Sequence, residues 1–228
     1  MKIVISESQY NRLIEAEEKP KILEFPSLEF FDNDPFEAWT IIQKIIEKKG
    51  NPPYSIDGNL NLAETPIEYL GNLQSVGGYL VLPRTPLESL GNLQSVGRSL
   101  DLRRTPIKSL ENLQFVGGNL DLYGTPIESL GNLQSVGGDL FLRETPIKSL
   151  GNLQSVVGSL ALYGTPIESL GNLKSVGEDL FLYGTPIKSL GNLQSVGGDL
   201  KLDGTPLSKM YTNKQIREMV NVEGEIYL

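Results

Sequence analysis

The 228-residue chain contains no cysteine and no histidine. Their absence excludes disulfides, thiol nucleophiles and imidazole bases, and with them most transition-metal sites. Serine is plentiful, but no imidazole is present to activate it for nucleophilic catalysis. We therefore expect no enzymatic activity, no cofactor and no metal site. The lack of disulfides also favours a reducing compartment or a virus particle.

Long apolar runs and an excess of positive charge are also missing. No segment approaches the roughly 18 apolar residues of a membrane span, and the N-terminal apolar run is too short for a signal peptide. The net charge of −8 argues against a nucleic-acid partner, which would attract a basic surface. We expect a cytoplasmic or virion-associated protein that neither inserts into a membrane nor binds nucleic acid.

The dominant feature of the chain is a 20-residue repeat, x-L-x-L-x-x-T-P-I-x-S-L-G-N-L-Q-S-V-G-G. Eight gapless copies begin at Asn59, Tyr79, Ser99, Asn119, Asp139, Ser159, Asp179 and Asp199. A period held in register over this length predicts a solenoid, in which each coil buries its apolar side chains against its neighbours. The repeats span residues 59–207 and are flanked by terminal regions 1–58 and 208–228.

Each copy begins with the alternating pattern of a strand. In 139–143, Leu140 and Leu142 are predicted to point inward, and equivalent strands to stack as a parallel sheet. We expect Thr145 and its equivalents to form a column that bonds to adjacent coils, and the glycines at 137–138 to allow a tight turn or positive φ. The SLGNLQSV stretch favours extended or 3₁₀ structure on the other face, and a second parallel strand near LQSV is left open.

These motifs resemble a known family. The pattern L-x-L-x-x-T-x-I of Leu140, Leu142, Thr145 and Ile147 resembles the L-x-L-x-x-N-x-L of leucine-rich repeats, and 172–190 (NLKSVGEDLFLYGTPIKSL) is similar to coils of receptor L domains. The resemblance implies a leucine-rich-repeat solenoid. Threonine replaces the family's asparagine, so Asn152 and its equivalents, from Asn72 to Asn192, are candidates for an alternative ladder. The opening MKIVISESQYNRLIE resembles the starts of bacteriophage and marine bacterial proteins.

A solenoid must close its core at both ends, and helical caps are predicted there. At the N-terminal end, 34–50 contains an N-cap at Asp34, an apolar face that includes Trp39 and Ile42, and Gly50 as a stop. Residues 6–18 predict another helix, which docks on the cap or on a partner, and 19–33 is expected to be irregular.

The C-terminal end predicts a second cap. A helix beginning after Thr212 has Gln215 at its third position and directs Ile216, Met219 and Val220 inward. The final GEIYL is expected to add a strand.

The outward strand positions vary between copies while the rest of the repeat hardly changes. They place aromatic rings, arginines and aspartates on one face, and this combination is typical of interface anchors. The candidate binding residues are Asp101, Arg103, Asp121, Tyr123, Asp139, Phe141, Arg143, Tyr163, Asp179, Phe181 and Tyr183. The alternative is that neighbouring rings only stack and strengthen the sheet.

Another column alternates in charge, reading Glu88, Lys108, Glu128, Lys148, Glu168 and Lys188. We expect it to be structural, since alternation brings opposite charges together on neighbouring coils and penalises a slip of register.

The function predicted from these patterns is a non-enzymatic scaffold that binds a protein partner through the outward strand face. Two alternatives remain open. One is a glycan-binding adhesin, in which Tyr123, Tyr163 and Tyr183 stack on sugars. The other is a virion structural component that docks through its ends or its first helix.

Overall fold

The computed structural model describes residues 22–26 and 34–228. This part of the chain winds into a β-solenoid with two parallel sheets, one of nine strands and one of ten. The helix predicted over 6–18 lies outside the described residues.

The nine-stranded sheet contains the L-x-L segment of each repeat. Its strands are β3 Leu60–Asn61, β5 Leu80–Val81, β7 Leu100–Asp101, β9 Leu120–Asp121, β11 Leu140–Phe141, β13 Leu160–Ala161, β15 Leu180–Phe181, β17 Leu200–Lys201 and β19 Ile226–Tyr227.

The ten-stranded sheet contains the S-V segment. Its strands are β1 Leu23–Phe25, β2 Tyr54–Ile56, β4 Leu73–Val76, β6 Ser95–Val96, β8 Phe115–Val116, β10 Ser135–Val136, β12 Ser155–Val156, β14 Ser175–Val176, β16 Ser195–Val196 and β18 Asn221–Val222. The second parallel sheet that the sequence left open therefore exists, and the described part of this face contains no 3₁₀ segment.

The predicted register of the repeat is confirmed by strand pairing. Leu140 pairs with Leu120 on one side and Leu160 on the other, so adjacent coils are offset by one whole repeat. Leu140 and Leu142 are fully buried between the two sheets, as predicted. The core is thus a stack of layers. Each coil supplies one layer, and the equivalent layer of the next coil covers it.

The threonine hydroxyl of each repeat bonds within its own coil rather than to an adjacent coil. The Thr145 hydroxyl donates to the carbonyl of Leu142 in its own coil at 2.6 Å, and Thr145 is only 3% exposed. The turn after each strand brings that carbonyl within reach of a residue three positions later. The threonines stack in register from coil to coil, but the predicted bonding of their hydroxyls to adjacent coils is wrong, because each hydroxyl donates within its own turn.

The glycine pair at 137–138 serves close packing rather than positive φ. A Cβ on Gly137 would lie 2.3 Å from the carbonyl oxygen of Gly117, which is closer than any real side chain approaches. The backbone turns with positive φ lie elsewhere, at Gly124 and Gly131 for example.

Helix α1 (Pro35–Lys48) packs on the N-terminal end of the solenoid. The Asp34 carboxylate accepts from the Phe36 amide at 2.9 Å, as predicted for an N-cap, and Gly50 follows with φ +82°. Trp39 is buried, and its ring centroid lies 6.3 Å from that of Tyr54 in β2.

The segment 19–33 was expected to be irregular, but Leu23–Phe25 forms strand β1. It pairs in parallel with Tyr54–Ile56, and Leu23 and Phe25 pack against the core. The expectation failed because a three-residue strand on the edge of a sheet depends on its partner rather than on a pattern of its own.

Two helices, α2 (Pro206–Met210) and α3 (Asn213–Met219), lie at the other end. Helix α3 has the predicted capping box of Thr212 and Gln215, and Ile216 is buried. Met219 was predicted to face inward but is 50% exposed. The helix ends at Met219, and the extended Val220 occupies the buried position instead.

Arg217 of α3 covers the open edge of the ten-stranded sheet. Its guanidinium donates to the carbonyls of Val222 and Gly224. The equivalent carbonyls one coil earlier, those of Val196 and Gly198, accept amides from the next coil. Arg217 thus occupies two of the acceptors that a further coil would use.

The alternating charge column makes one ion pair within 4 Å in the described residues, between Glu168 and Lys188 at 2.8 Å. Both side chains are about 60% exposed, so water screens the pair and its contribution to stability is small.

We predict that the threonine hydroxyls stabilise the coils individually. Thr165→Val removes the bond from Oγ1 to the Leu162 carbonyl (2.6 Å) at a site that is 3% exposed. The free energy of unfolding should fall by about 1 kcal/mol in urea titration. Thr65→Val is the matched control. Its hydroxyl makes the same bond but is half-buried, so water can replace it and the loss should be smaller. Equal losses at both sites would contradict this account.

Candidate functional site

All the predicted binding residues lie on the outward side of the nine-stranded sheet or in the residues that border its strands. Along each strand, outward positions form three columns. In the coil of β11 these positions are Asp139, Phe141 and Arg143, which are half-exposed, while Leu140 and Leu142 between them are buried. The predicted direction of these side chains is therefore confirmed.

The first column is a hydrogen-bonded ladder between coils. Asn119 Oδ1 accepts from the Asp139 amide at 2.9 Å, and Asp139 Oδ1 accepts from the Ser159 amide at 2.8 Å. Asp179 Oδ1 likewise accepts from the Asp199 amide at 2.8 Å. Asp139 and Asp179, two of the predicted binding residues, thus hold one coil to the next.

A signal for this ladder is present in the sequence. The first column contains asparagine, serine or aspartate in every copy except that of Tyr79, and these are short side chains with an acceptor oxygen. In bonds of the same kind, the Tyr79 amide donates to Asn59 and the Glu225 amide donates to Asp199. The residue type in this column therefore varies, but every member except Tyr79 is a short side chain with an acceptor oxygen.

The ladder explains why a glycine precedes most strands. A Cβ on Gly138 would lie 2.1 Å from Asn119 Oδ1. Every copy whose first position is asparagine or aspartate is followed, one coil later, by glycine at this place. These pairs are Asn59 with Gly78, Asn119 with Gly138, Asp139 with Gly158, Asp179 with Gly198 and Asp199 with Gly224.

The two exceptions to glycine occur where the preceding coil has no Asn or Asp. Arg98 follows Tyr79, and its guanidinium carbon lies 5.5 Å from the tyrosine ring centroid. Glu178 follows Ser159, whose hydroxyl donates to Glu178 Oε2 at 3.2 Å. A side chain is therefore accepted only where the ladder leaves room for it.

Asp101 and Asp121 of the second column form a charged cluster with Arg103 of the third. Arg103 binds Asp101 through two bonds, Nε to Oδ1 at 2.9 Å and Nη2 to Oδ2 at 2.6 Å, and lies 3.6 Å from Asp121. The bond to Asp101 raises the pKa of Arg103. Partial burial raises the pKa of Asp121, opposed by the amide of Tyr123 that donates to it, and the nearby charge of Asp101 adds to the rise.

The third column, together with the adjacent Arg104, forms a chain of contacts between aromatic rings and guanidinium groups. Tyr123 lies between Arg104 and Arg143, whose guanidinium carbons are 5.9 and 4.7 Å from its centroid. Arg143 donates to the Tyr163 hydroxyl at 3.2 Å, and Tyr163 stacks on Tyr183 with centroids 4.7 Å apart and planes at 12°. The stacking predicted as an alternative to binding is thus present in this column.

The later part of the second column is not stacked. Phe141 and Phe181 lie on either side of Ala161, each paired with it in register. The three residues, with Tyr163 and Tyr183 beside them, line a recess of about 450 Å³. Ala161, which sequence comparison did not single out, forms its floor and is 4% exposed.

A larger recess of about 530 Å³ lies on the side of the ten-stranded sheet and is lined mostly by asparagine and glutamine. Its side chains belong to the repeated frame. Asn112 and Asn172 donate to the carbonyls of Gly91 and Gly151 in the preceding coil, at 2.9 and 3.2 Å. The alternative asparagine ladder predicted from the sequence is present in this form, and it commits the groove to coil stacking.

The structure therefore divides the predicted residues into three groups. Asp139 and Asp179 belong to the ladder, and Asp101, Arg103 and Asp121 form one charged cluster. The aromatic residues and Arg143 form a second cluster, joined to the first through Tyr123.

Comparison with protein-family models, with curated proteins and with solved structures gave no match. The structure shows a repeat solenoid with leucine-rich strands. Membership of the leucine-rich-repeat family stays a prediction. In the described residues, none of the helices has the length and apolar character needed to cross a bilayer.

We predict a direct coupling between the ladder and the glycine that faces it. Gly138→Ala should lower the free energy of unfolding by about 1–3 kcal/mol, because the new methyl group overlaps Asn119 Oδ1 and also comes within 2.8 and 2.9 Å of the backbone atoms Gly118 C and Asn119 N. In an Asn119→Ser background the loss should be smaller, since Ser159 already coexists with Glu178 one coil later. Urea unfolding of both single variants and the double variant measures the coupling. Additive losses would show that the two positions do not compete for space.

The last bond of the ladder predicts a dependence of stability on pH. The Glu225 amide donates to Asp199 at 2.9 Å, and this bond, together with Lys201, lowers the pKa of the Asp199 carboxyl. A lowered folded pKa stabilises the fold above the unfolded value of about 3.9, and that stabilisation is lost as pH falls through the folded pKa. Asp199→Asn keeps the acceptor without the charge.

The wild-type protein should therefore lose more stability than Asp199→Asn when urea titrations are repeated from about pH 7 down to pH 2. Parallel pH profiles for the two proteins would contradict a contribution from the Asp199 carboxylate.

Proposed function

We propose that this chain is a non-enzymatic interaction scaffold of the leucine-rich-repeat type, which binds a protein partner through the outward side of its nine-stranded sheet. The observation that carries the proposal is the recess of about 450 Å³ between Phe141 and Phe181. In this recess the half-exposed rings of Phe141 and Phe181 stand on either side of Ala161 and leave the space between them open. Aromatic and arginine side chains around such a recess are the usual anchors of protein interfaces.

The support beneath this face favours binding without rearrangement. Leu160 and Leu162 are fully buried under Ala161, and β13 pairs with a strand on each side. A rigid face loses little conformational entropy when a partner docks. We further propose that α1 and α3 act as caps, which close the ends of the core and leave the sheet face open.

The arrangement of the carboxylates supports a non-enzymatic role. Asp101 is engaged by two nitrogens of Arg103, and Asp121 accepts from the Tyr123 amide at 3.0 Å. Carboxylates held in this way are poorly placed for general acid–base work, which requires a free oxygen directed at a substrate.

A glycan-binding role has less support. Sugars stack on the open faces of aromatic rings, but two guanidinium groups lie near the Tyr123 ring, and Tyr163 is stacked against Tyr183. The stacked pair covers one face of each of its rings, which leaves less ring surface for a sugar than separate rings would offer.

The proposal is tested by selecting a displayed random peptide library on the wild-type protein and measuring the selected peptides on variants. Phe141→Ser combined with Phe181→Ser should weaken binding by at least about tenfold, because it removes both walls of the recess. The matched control is Gln134→Ala combined with Gln154→Ala on the opposite face, which should leave binding unchanged. Circular dichroism melting establishes that both variants fold.

Peptide binding that survives loss of both phenylalanines, or that falls equally in the control, would contradict a binding role for this face. A glycan array run with the same proteins separates the adhesin alternative, and sedimentation velocity separates assembly with further copies of the chain.

A further inference from the structure

The width of the recess is set by the spacing of the strands. Its walls, Phe141 and Phe181, are separated by the single intervening strand β13, so their strands lie about 10 Å apart. Ala161 is the one small apolar side chain in the second column, where other copies have asparagine, valine, aspartate, phenylalanine or lysine. A single small residue between two large rings creates a notch.

The charged side chains that line the notch itself are of one sign. Its charged lining residues are Arg143 and Lys201, and no carboxylate lines it, although the chain as a whole carries a net charge of −8. Arg143 has no carboxylate within 4 Å in the described residues; its guanidinium lies near the Tyr123 and Phe141 rings and donates to the Tyr163 hydroxyl. Lys201 is paired with Asp199 at 3.3 Å and lies 4.1 Å from the Tyr227 ring centroid.

The two cations lie on either side of the notch along the solenoid axis. Arg143 is one coil before Ala161 and Lys201 is two coils after it, so they stand about 5 and 10 Å away along that axis. A ligand that fills the notch therefore meets a positive charge in both directions.

We propose that the notch over Ala161 receives one large apolar side chain from an acidic peptide segment of a partner protein, with carboxylates beside that anchor binding Arg143 and Lys201. This inference rests on the proposed function, and it names the chemistry of the partner. Charge complementarity with the two cations that line the notch favours an acidic segment over a basic one.

The decisive variant is Ala161→Leu, which fills the notch and leaves its walls in place. The substitution is compatible with the strand, since the same column holds Val81 and Phe141 in other copies. Ala161→Ser is the matched control, because it changes the same residue but keeps the notch open. Arg143→Gln with Lys201→Gln tests the charges.

The probes are the peptides selected from the random library on the wild-type protein. They should share an aromatic or large aliphatic residue with aspartate or glutamate nearby, and Ala161→Leu should weaken their binding by about tenfold while Ala161→Ser changes it by less than about twofold. The charge variant should weaken binding and reduce its dependence on salt. Melting temperatures of all variants establish folding.

Peptides that need Phe141 and Phe181 but bind Ala161→Leu normally, or that lack acidic residues, would overturn this inference and leave the proposed function standing. Peptides that are indifferent to both phenylalanines would overturn the proposed function itself. Self-association in sedimentation velocity that disappears in Ala161→Leu would assign the notch to a second copy and would also overturn the inference.

Discussion

The spacing of about 4.8 Å between adjacent coils constrains every side chain on both sheets. Each residue lies directly beside its equivalents one repeat earlier and one repeat later, so a column is acceptable only if its members can be neighbours. Leucine columns meet this condition by packing, and the first outward column meets it by bonding Asn119 and its equivalents to the next amide. The glycine at 138 belongs to the same contact, because a Cβ there would occupy the space of the Asn119 oxygen.

This constraint decides which outward positions are available for recognition. The first column is committed to holding coils together, and the third column uses the faces of its rings in the stack from Arg104 to Tyr183. The second column is the least committed in its later part, where Phe141, Ala161 and Phe181 differ from one coil to the next. Under the proposed function, recognition would therefore be concentrated in a few neighbouring coils rather than spread along the whole sheet.

Features that depend on periodicity or on local sequence could be predicted from the chain alone. The register, the inward leucines and the two N-caps at Asp34 and Thr212 belong to this class. The failures depend on features outside the local pattern. Strand β1 exists because the distant Tyr54–Ile56 pairs with it, and Met219 is exposed where α3 ends, beside the buried Val220.

The candidate site shows the same division. The outward face and its aromatic residues followed from the alternation along each strand. The ladder could have been found by asking what asparagine, serine and aspartate share, rather than by treating their column as variable. The notch could not be found from aromatic residues alone, because its defining residue is the small Ala161 between them.

The guanidinium of Arg217 gives the solenoid an end that is independent of its length. This one side chain fills two of the acceptors of the last strand in the ten-stranded sheet, and it belongs to a helix that follows the last copy of the repeat. Gain or loss of one internal copy would leave these contacts in place but would shift Phe141, Ala161 and Phe181 along the axis, or separate them. Under the proposed function, a recognition surface built across three coils would therefore be altered by a change of one whole coil.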